Sequence, residues 1–408
     1  MIKKKKKILL VIGGGISAYK SLDLIRLLKK NDFQIKTVLT KGGKQFVTPL
    51  SLVSLSGGKV YDELFNSSKE SEIDHISLSR WADLIIVVPA TANFISKLSS
   101  GRAEDLATTI ILASNKDVFI VPAMNVRMWE HKATIDNCKT LFGYGYKFIG
   151  PINGLMACGE YGKGKMVSPR IIFREILKYF SYRDIVKKRK YKAIVTTGAT
   201  REYIDPVRFL SNESSGKQGH EIAEALNKRG IKTTLIAGPS NIQATKNVNI
   251  IKIKTSDEML KAVKKNLPVD IAVCAAAVAD FKPSEYHKNK LKKKDNTEII
   301  KINKTVDILE YLGKNNFSRP KLVVGFSAET RDILKNSKEK LKQKNSDLII
   351  SNDVSKKGIG FNSDYNEVTI LDNNGKSLKI KKSKKSYIAS IIADKIINKL
   401  LINDKNLN

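Results

Sequence analysis

The chain has 408 residues, 42% of them hydrophobic, enough for about two domains with separate cores and too apolar for a disordered protein. Lysine and arginine number 73 against 40 acidic residues, a formal charge of +33, yet the basic residues are spread along the chain and aromatics make up only 7%, which argues against a dedicated nucleic-acid interface. The three cysteines, Cys138, Cys158 and Cys274, are widely spaced with no CxxC pair, which argues against a disulfide framework or thiolate metal site and fits a reducing, cytoplasmic setting.

Lys3 to Lys7 followed by Ile8 to Ile12 imitates the start of a signal peptide, but Gly13-Gly14-Gly15 cuts the apolar run short. No other stretch approaches the roughly 20 apolar residues that span a bilayer. Lys7 to Ile12 is instead predicted as a buried strand, Ser17 to Lys30 as a helix with apolar spacing through Leu22, Ile25 and Leu28, and Ile35 to Leu39 as the next strand. Leu84 to Val88 and Val118 to Val121 repeat the theme, each run ending in Pro and a small residue. Repeated βα units predict a parallel sheet, with ligands beyond the carboxyl ends of its strands.

Gly13-Gly14-Gly15-Ile16-Ser17-Ala18 fits the loose pattern GxGxxA, in which glycines let the backbone approach a phosphate at a helix start. A nicotinamide site also wants an acidic residue about 20 positions on for the ribose, whereas the second strand ends Val38-Leu39-Thr40-Lys41. That favours a mononucleotide such as FMN over NAD; a tight structural turn is the plain alternative. A nicotinamide-dependent oxidoreductase is the competing enzyme reading, and whether the protein is yellow or binds NAD separates the two.

The segment Gly154 to Met166, with further glycines at Gly159, Gly162 and Gly164, is too glycine-rich for an ordinary helix or strand. It reads as a mobile flap carrying a thiol, Cys158, that can close over a substrate and supply a proton, with a loop holding an incidental buried Cys as the plain alternative. Tyr179 to Lys190, ending in Lys187-Lys188-Arg189-Lys190, is polar and basic and reads as a linker, so the expected boundaries are a first domain at 1–182, a linker at 183–190, a second domain at 191–402 and a frayed tail at 403–408. In the second half a strand at Ala193 to Thr197 meets the turn Gly198-Ala199-Thr200, with more strands expected at Thr233 to Ala237, Ile271 to Ala275, Leu322 to Phe326 and Leu348 to Ile350. The fold class is therefore α/β, with two doubly wound, mostly parallel-sheet domains.

Gly14 to Lys20, Asp74-His75-Ile76, Pro89-Ala90-Thr91-Ala92-Asn93, Pro122-Ala123-Met124-Asn125 and the Cys158 flap, in this order, resemble the flavin-containing cysteine decarboxylases. Asp205-Pro206-Val207-Arg208, Ser211 to Lys217, Ala276 to Asp280, Gly325 to Thr330 and Ser351 to Ser355 are similar to phosphopantothenate-cysteine ligase. Together the halves resemble the bifunctional enzymes of bacterial coenzyme A biosynthesis, over nearly the whole chain. The resemblance implies a flavoprotein-like decarboxylase domain followed by a Rossmann-like ligase domain.

For the first domain it implies FMN held by Gly14, Ser17, Thr40, Ala90, Thr91 and Asn93, with His75 as base, Asn125 on the substrate carboxylate and Cys158 as proton donor. His75 stands before a helical run through Leu78, Trp81 and Leu84, and without the resemblance it reads as a capping or surface His and Asn125 as a turn or helix-cap residue. For the second domain it implies activation of phosphopantothenate by CTP with Mg2+ or Mn2+, followed by attack of cysteine. Lys290 would serve cytidylate formation, Asn212 would hold the acyl-cytidylate, and Asp280 would support metal and nucleotide. Val273, Cys274, Ala275, Val306, Asp307, Ile308, Leu309, Phe326, Lys340 and Lys344 match CTP-binding positions, and Ser214 to Lys217 resemble a phosphate-contacting loop. Glu213, Gln218 and Val306 depart from the usual pattern, which has His or Arg, Met and Pro there. A homo-oligomer follows from the same resemblance, with flavin sites at trimer contacts and ligase domains paired as dimers in a dodecamer.

Overall fold

The computed structural model describes residues 5–64, 74–240, 242, 248–292, 299–314, 317–329, 331–353 and 363–405. Thr330, Val354 and Ser355 of the motifs above, and the tail at 406–408, lie outside the described residues. The chain divides into two compact units, Met1–Ser181 and Tyr182–Asn408.

In the first unit, β1 (Lys7–Ile12) leads through a 3-10 turn at Ile16–Tyr19 into α1 (Lys20–Lys30), then β2 (Gln34–Leu39), α2 (Pro49–Ser56) and β3 (Val60–Tyr61). The chain continues with α3 (Asp74–Trp81), β4 (Leu84–Ala90), α4 (Ala92–Ser99), α5 (Leu106–Leu112), β5 (Val118–Pro122), α6 (Val126–Glu130), α7 (Lys132–Gly143) and β6 (Lys147–Phe148). A hairpin of β7 (Ile152–Leu155) and β8 (Tyr161–Lys165) precedes α8 (Pro169–Arg189). The strands form a six-stranded parallel sheet in the order β3-β2-β1-β4-β5-β6. Because strand side chains alternate between faces, Ile8, Leu10 and Ile12 pack with Leu24, Ile25 and Leu28 of α1 and Ile172 and Ile176 of α8. Leu9 and Val11 pack on the opposite face with Leu78 of α3, Phe94 of α4, Ile110 of α5 and Leu141 of α7.

The second unit holds β9 (Lys192–Thr197), the ribbon β10 (Arg201–Tyr203) and β11 (Phe209–Ser211), α9 (Lys217–Lys228), β12 (Lys232–Ala237), β13 (Asn249–Lys252), α10 (Ser256–Asn266) and β14 (Ile271–Cys274). A second ribbon of β15 (Phe281–Pro283) and β16 (Ile302–Lys304) precedes α11 (Ile308–Lys314), β17 (Leu322–Glu329), α12 (Ile333–Gln343), β18 (Leu348–Asp353), β19 (Tyr365–Asp372), β20 (Ser377–Lys384) and α13 (Lys385–Lys405). The main sheet runs β13-β12-β9-β14-β17-β18-β19-β20, parallel as far as β18 and antiparallel over the last two strands. Val195, Val273 and Val324 face α9 and α13, while their neighbours Ile194, Ala272 and Val323 face α10 and α11.

Three expectations change. The basic segment read as a linker is the end of α8, with Val186 buried in the second unit's core; its lysines occupy the exposed positions of a helix. The glycine-rich flap is a β-hairpin, because Gly162 and Gly164 permit backbone that other residues resist without preventing ladder pairing. Residues 403–405 continue α13, and Asp404 is only 4% exposed, accepting a hydrogen bond from the Tyr191 hydroxyl and pairing with Arg189 at 3.1 Å and Lys321 at 3.5 Å.

This carboxylate joins the last turn of α13 to the approach to β9, so Asp404→Ala removes the acceptor of the buried Tyr191 hydroxyl and the ion pair with Arg189, while Lys321 keeps Asp270 at 3.2 Å. We expect a loss of about 2–4 kcal/mol, read as a lower urea midpoint for the second unit with the first unchanged; an unshifted midpoint would mean that the helix end is dispensable.

Candidate active sites

In the first unit the strand order reverses between β1 and β4, the switch point where a doubly wound sheet opens a crevice beyond its carboxyl edge. A Cβ at Gly13 would stand 2.3 Å from the Pro89 carbonyl oxygen, so only glycine lets the two departing loops pass this closely. Gly14 follows at the lip, with Ser17 half-buried in the 3-10 turn. The Thr40 hydroxyl donates to the Ile12 carbonyl at 3.0 Å and accepts from the Gly43 amide at 3.1 Å, which ties the end of β2 to the end of β1. Ala90 closes β4, the Thr91 hydroxyl caps α4 by accepting from the Phe94 amide at 3.2 Å, and Asn93 is exposed in the next turn. Thus the six expected flavin contacts all lie at the carboxyl ends of β1, β2 and β4. Burial first, and then the neighbouring Lys165, lower the pKa of Lys20, so the glycine-rich turn is followed by a cation that an anionic ligand would favour.

Asn125 caps α6, its Oδ1 accepting from the Met128 amide at 2.8 Å; that fixes the amide's orientation and leaves the Nδ2 end as the donor. His75 lies inside α3, half-buried at its second position, and Leu84 belongs to β4 rather than to that helix. Helix α3 ends two residues before β4 begins, and its Leu78 packs on the sheet face with Ile85 and Val87 of that strand. Cys158 is exposed at the turn of the β7–β8 hairpin, its Sγ 3.8 Å from Glu160 Oε2. The hairpin is rooted beside Asn125: the Met124 amide donates to the Gly164 carbonyl at 3.1 Å, and a Cβ on Gly164 would meet the Met124 carbonyl at 2.3 Å. The other two thiols are kept protonated by burial, which pushes Cys138 up to about 11 and Cys274 up to about 12.

In the second unit the order reverses between β9 and β14, and a cavity of about 650 Å³ opens there. It gathers Asn212, Cys274, Ala275, Asp280, Val306, Asp307, Ile308, Leu309, Phe326 and Lys340 of the expected ligase residues, together with the whole Ser214–Lys217 loop. Asn212 Nδ2 donates to the Val278 carbonyl at 3.0 Å. Asp307 caps α11 through the Glu310 amide at 2.9 Å and pairs with Lys344 at 3.1 Å. Lys344 also pairs with Glu310 at 2.7 Å, and Lys314 with Lys344 holds that carboxyl down at about 2.

Three expected contacts do not line the cavity. Val273 is buried beneath it, and Lys344 reaches it only through Asp307. Lys290 is exposed on the loop after β15, next to Leu291, whose amide donates to Asp205 and whose carbonyl accepts from Arg208. Burial raises the Asp205 carboxyl, but the amides of Val207, Arg208 and Leu291 and the Arg208 guanidinium outweigh it and hold the group below the usual carboxylate range. The sequence reading missed Lys304, Thr305, Asn366 and Lys385. Thr305 could have been suspected from its place just before Val306; the lysines are hidden by the general abundance of lysine.

Among the described residues no group of three or more His, Cys, Asp or Glu side chains could hold a metal ion, so a divalent cation at Asp280 would depend on phosphate oxygens for most of its ligands. No helix among them is long and apolar enough to cross a membrane.

Two doubly wound units, each with a switch point at the carboxyl edge of its sheet and the second with a cavity of about 650 Å³ there, define a two-domain α/β protein of the ligand-binding kind. Residues 2–181 match the flavoprotein family and residues 188–400 the family of the DNA/pantothenate metabolism flavoprotein C-terminal domain. The chain is 42% identical over 388 residues to the coenzyme A biosynthesis bifunctional protein of Haemophilus influenzae, covering 95% of this chain and 96% of that one. It is 40% identical over 372 residues to the counterpart in Bacillus subtilis, covering 91% of each. A solved C-terminal domain of such a protein is 32% identical, with a TM-score of 0.44, over 52% of this chain and 95% of that one. The chain belongs to the family of bifunctional coenzyme A biosynthesis enzymes, which join a phosphopantothenoylcysteine decarboxylase to a phosphopantothenate-cysteine ligase.

The root of the Cys158 hairpin can be tested directly. Gly164→Ala adds a Cβ against the Met124 carbonyl in backbone that costs about 1–3 kcal/mol to impose on alanine. The Met124 amide should then exchange faster with solvent; unchanged exchange would mean that the hairpin is anchored elsewhere.

Proposed function

We propose that the decarboxylase half works with FMN and the ligase half with CTP and Mg2+ or Mn2+. Cysteine is joined to 4'-phosphopantothenate through an acyl-cytidylate, and the product is decarboxylated to 4'-phosphopantetheine. The supporting observation is the single cavity at the second switch point, where ten of the expected ligase positions converge.

In the first unit Gly14, Ser17, Thr40, Ala90, Thr91 and Asn93 would hold the flavin at the first switch point, where the backbone is close-packed and β2 ends without an acidic side chain. When bound, FMN supplies a hydride acceptor and later a hydride donor. His75 takes the proton from the substrate thiol, Asn125 holds the carboxylate through Nδ2, and Cys158 gives a proton to the ene-thiolate left after carbon dioxide departs. The decarboxylation needs the neighbouring carbon to be oxidised to a thioaldehyde first, since the bare carbanion would have nothing to stabilise it.

In the second unit Lys340 and Lys290 meet the charge of the nucleotide and the activated carboxyl, with Asp280 supporting the cation. Asn212 holds the acyl-cytidylate for attack. Lys290 must come from the exposed loop after β15, so closure of that loop is part of this reading. Exposed Ile16, Tyr19, Phe46 and Leu50 in the first unit support its assembly into trimers, with paired ligase units completing a dodecamer.

Incubation with phosphopantothenate, cysteine, CTP and magnesium, followed by mass analysis, tests the whole proposal: it should yield phosphopantothenoylcysteine and then phosphopantetheine. Cys158→Ser should keep the flavin and lower phosphopantetheine formation by about 10²–10⁴, with the oxidised, decarboxylated ene-thiol accumulating, because a hydroxyl is a poor acid near neutral pH. Full product formation would remove Cys158 from the reaction.

Lys290→Gln should abolish pyrophosphate release, whereas Asn212→Asp should allow cytidylate to form but block its capture by cysteine, a negative charge now facing the developing oxyanion. Normal cytidylate formation in the first variant would move the role to a neighbour such as Lys292. Normal turnover in the second would end the role given to Asn212.

A further inference from the structure

The ligase cavity has two rims, because its walls come from helices on opposite faces of the sheet. The expected nucleotide residues Ile308, Leu309 and Lys340 belong to the α11 and α12 rim. The other rim, from α9 and α13 with the end of β18, carries Gln218, Lys385 and Asn352. None of these three has a part in the chemistry so far, and the cysteine co-substrate has no seat.

Two observations fit one to the other. Asn352 Oδ1 and Gln218 Oε1 are buried without any hydrogen-bond partner. The Gln218 amide cannot be reversed to relieve this, because its Nε2 donates to the Lys385 carbonyl at 3.3 Å. An unpaired buried acceptor costs about 1–3 kcal/mol, and a ligand bearing several N–H groups recovers it after a small turn of each amide. A primary ammonium is such a ligand. Beside them, Lys385 opens α13 and is 5% exposed on the cavity wall.

We propose that Lys385 is the base that prepares the amino-acid co-substrate of the ligase half, taking a proton from its ammonium group in a seat completed by Asn352 Oδ1 and Gln218 Oε1. The proposal rests on the ligase reading above. Cysteine arrives as an ammonium ion, whose nitrogen has no lone pair for attack. Lys385 Nζ takes one proton; the freed amine bonds to the acyl carbon of the cytidylate as the carbon–oxygen bond to CMP breaks, its electrons leaving with the phosphate. The second nitrogen proton passes to that phosphate or to water, and Lys385 returns its own to solvent.

The surroundings suit this role. Burial first, and then Lys217 of α9, lower the Lys385 amine to about 8, with Asp364 ahead of β19 opposing them. Lys217 is paired with Asp364 at 2.7 Å, and Glu221 of α9 and Lys384 of β20 also face that carboxylate. A lysine of this kind is partly uncharged near neutral pH, and its capacity to accept a proton falls as the pH drops below about 8.

The test compares Lys385→Met and Lys385→Arg with the wild type in single turnover. All three should release pyrophosphate and form cytidylate at similar rates. Capture by cysteine at neutral pH should fall about 10²–10⁴-fold in both variants and recover as the pH is raised, since alkali deprotonates cysteine directly. Hydroxylamine, whose nitrogen is already unprotonated at neutral pH, should capture the cytidylate equally in all three. Asn352→Leu should raise the KM for cysteine about tenfold and leave that for CTP unchanged. Wild-type capture of cysteine by Lys385→Arg would overturn the proposal, because arginine keeps the charge but cannot act as a base; so would a parallel loss of hydroxylamine capture. A wild-type enzyme that forms no cytidylate at all would overturn the ligase reading instead.

Discussion

Both units depend on one constraint: where the order of a parallel sheet reverses, two loops leave adjacent strands in opposite directions and their backbones must pass in contact. In the first unit the Pro89 carbonyl fills the space that any side chain at position 13 would need. In the second, the loops after β9 and β14 touch through a bridge between Ala199 and Ala277. Small residues at these positions keep the loops close and leave the crevice outside them for ligands. The helices then follow from the need to cover both faces of each sheet, and His75, Thr91, Asn125, Asp307 and Lys385 stand at the starts of α3, α4, α6, α11 and α13.

Much of this was legible because buried parallel strands are written as apolar runs. Lys7–Ile12 has the predicted limits, and the other predicted strands stand within a few residues of theirs. The antiparallel pair β19 and β20 escaped notice, since Asn366, Lys379 and Lys381 break any apolar run and one face is open to solvent. The hairpin of Cys158 escaped because glycine content reports permitted backbone angles, not whether strands pair. Asp404 hid in a polar end, and its partners Arg189 and Tyr191 lie more than 200 positions away in sequence.

The sites divide in the same way. Residues embedded in small-residue motifs at strand ends could be placed from the sequence, since the motif and the crevice have a common physical cause. Lysines could not. With 73 basic residues in the chain, only burial distinguishes Lys385 from its neighbours Lys381, Lys382 and Lys384, and burial is a property of the fold. Lys290 shows the converse: the motif spacing singled it out, while the structure leaves it on an exposed loop pinned at Leu291 by the Asp205–Arg208 pair.

The position of α13 also sets an order for synthesis on the ribosome. Ile388, Ile392, Ile396 and Leu400 lie in one cluster with Val195 and Val324, so on that face the strands of the second unit have only α9 over them until this last helix emerges. The cluster that closes the first unit draws on nothing later than α8. The decarboxylase half can therefore fold while the ligase half is still being translated, and a nascent chain halted before α13 would carry a finished flavoprotein tethered to a half-covered, apolar sheet. Chaperone demand should fall on the second half, during the time between the emergence of β9 and that of the final helix.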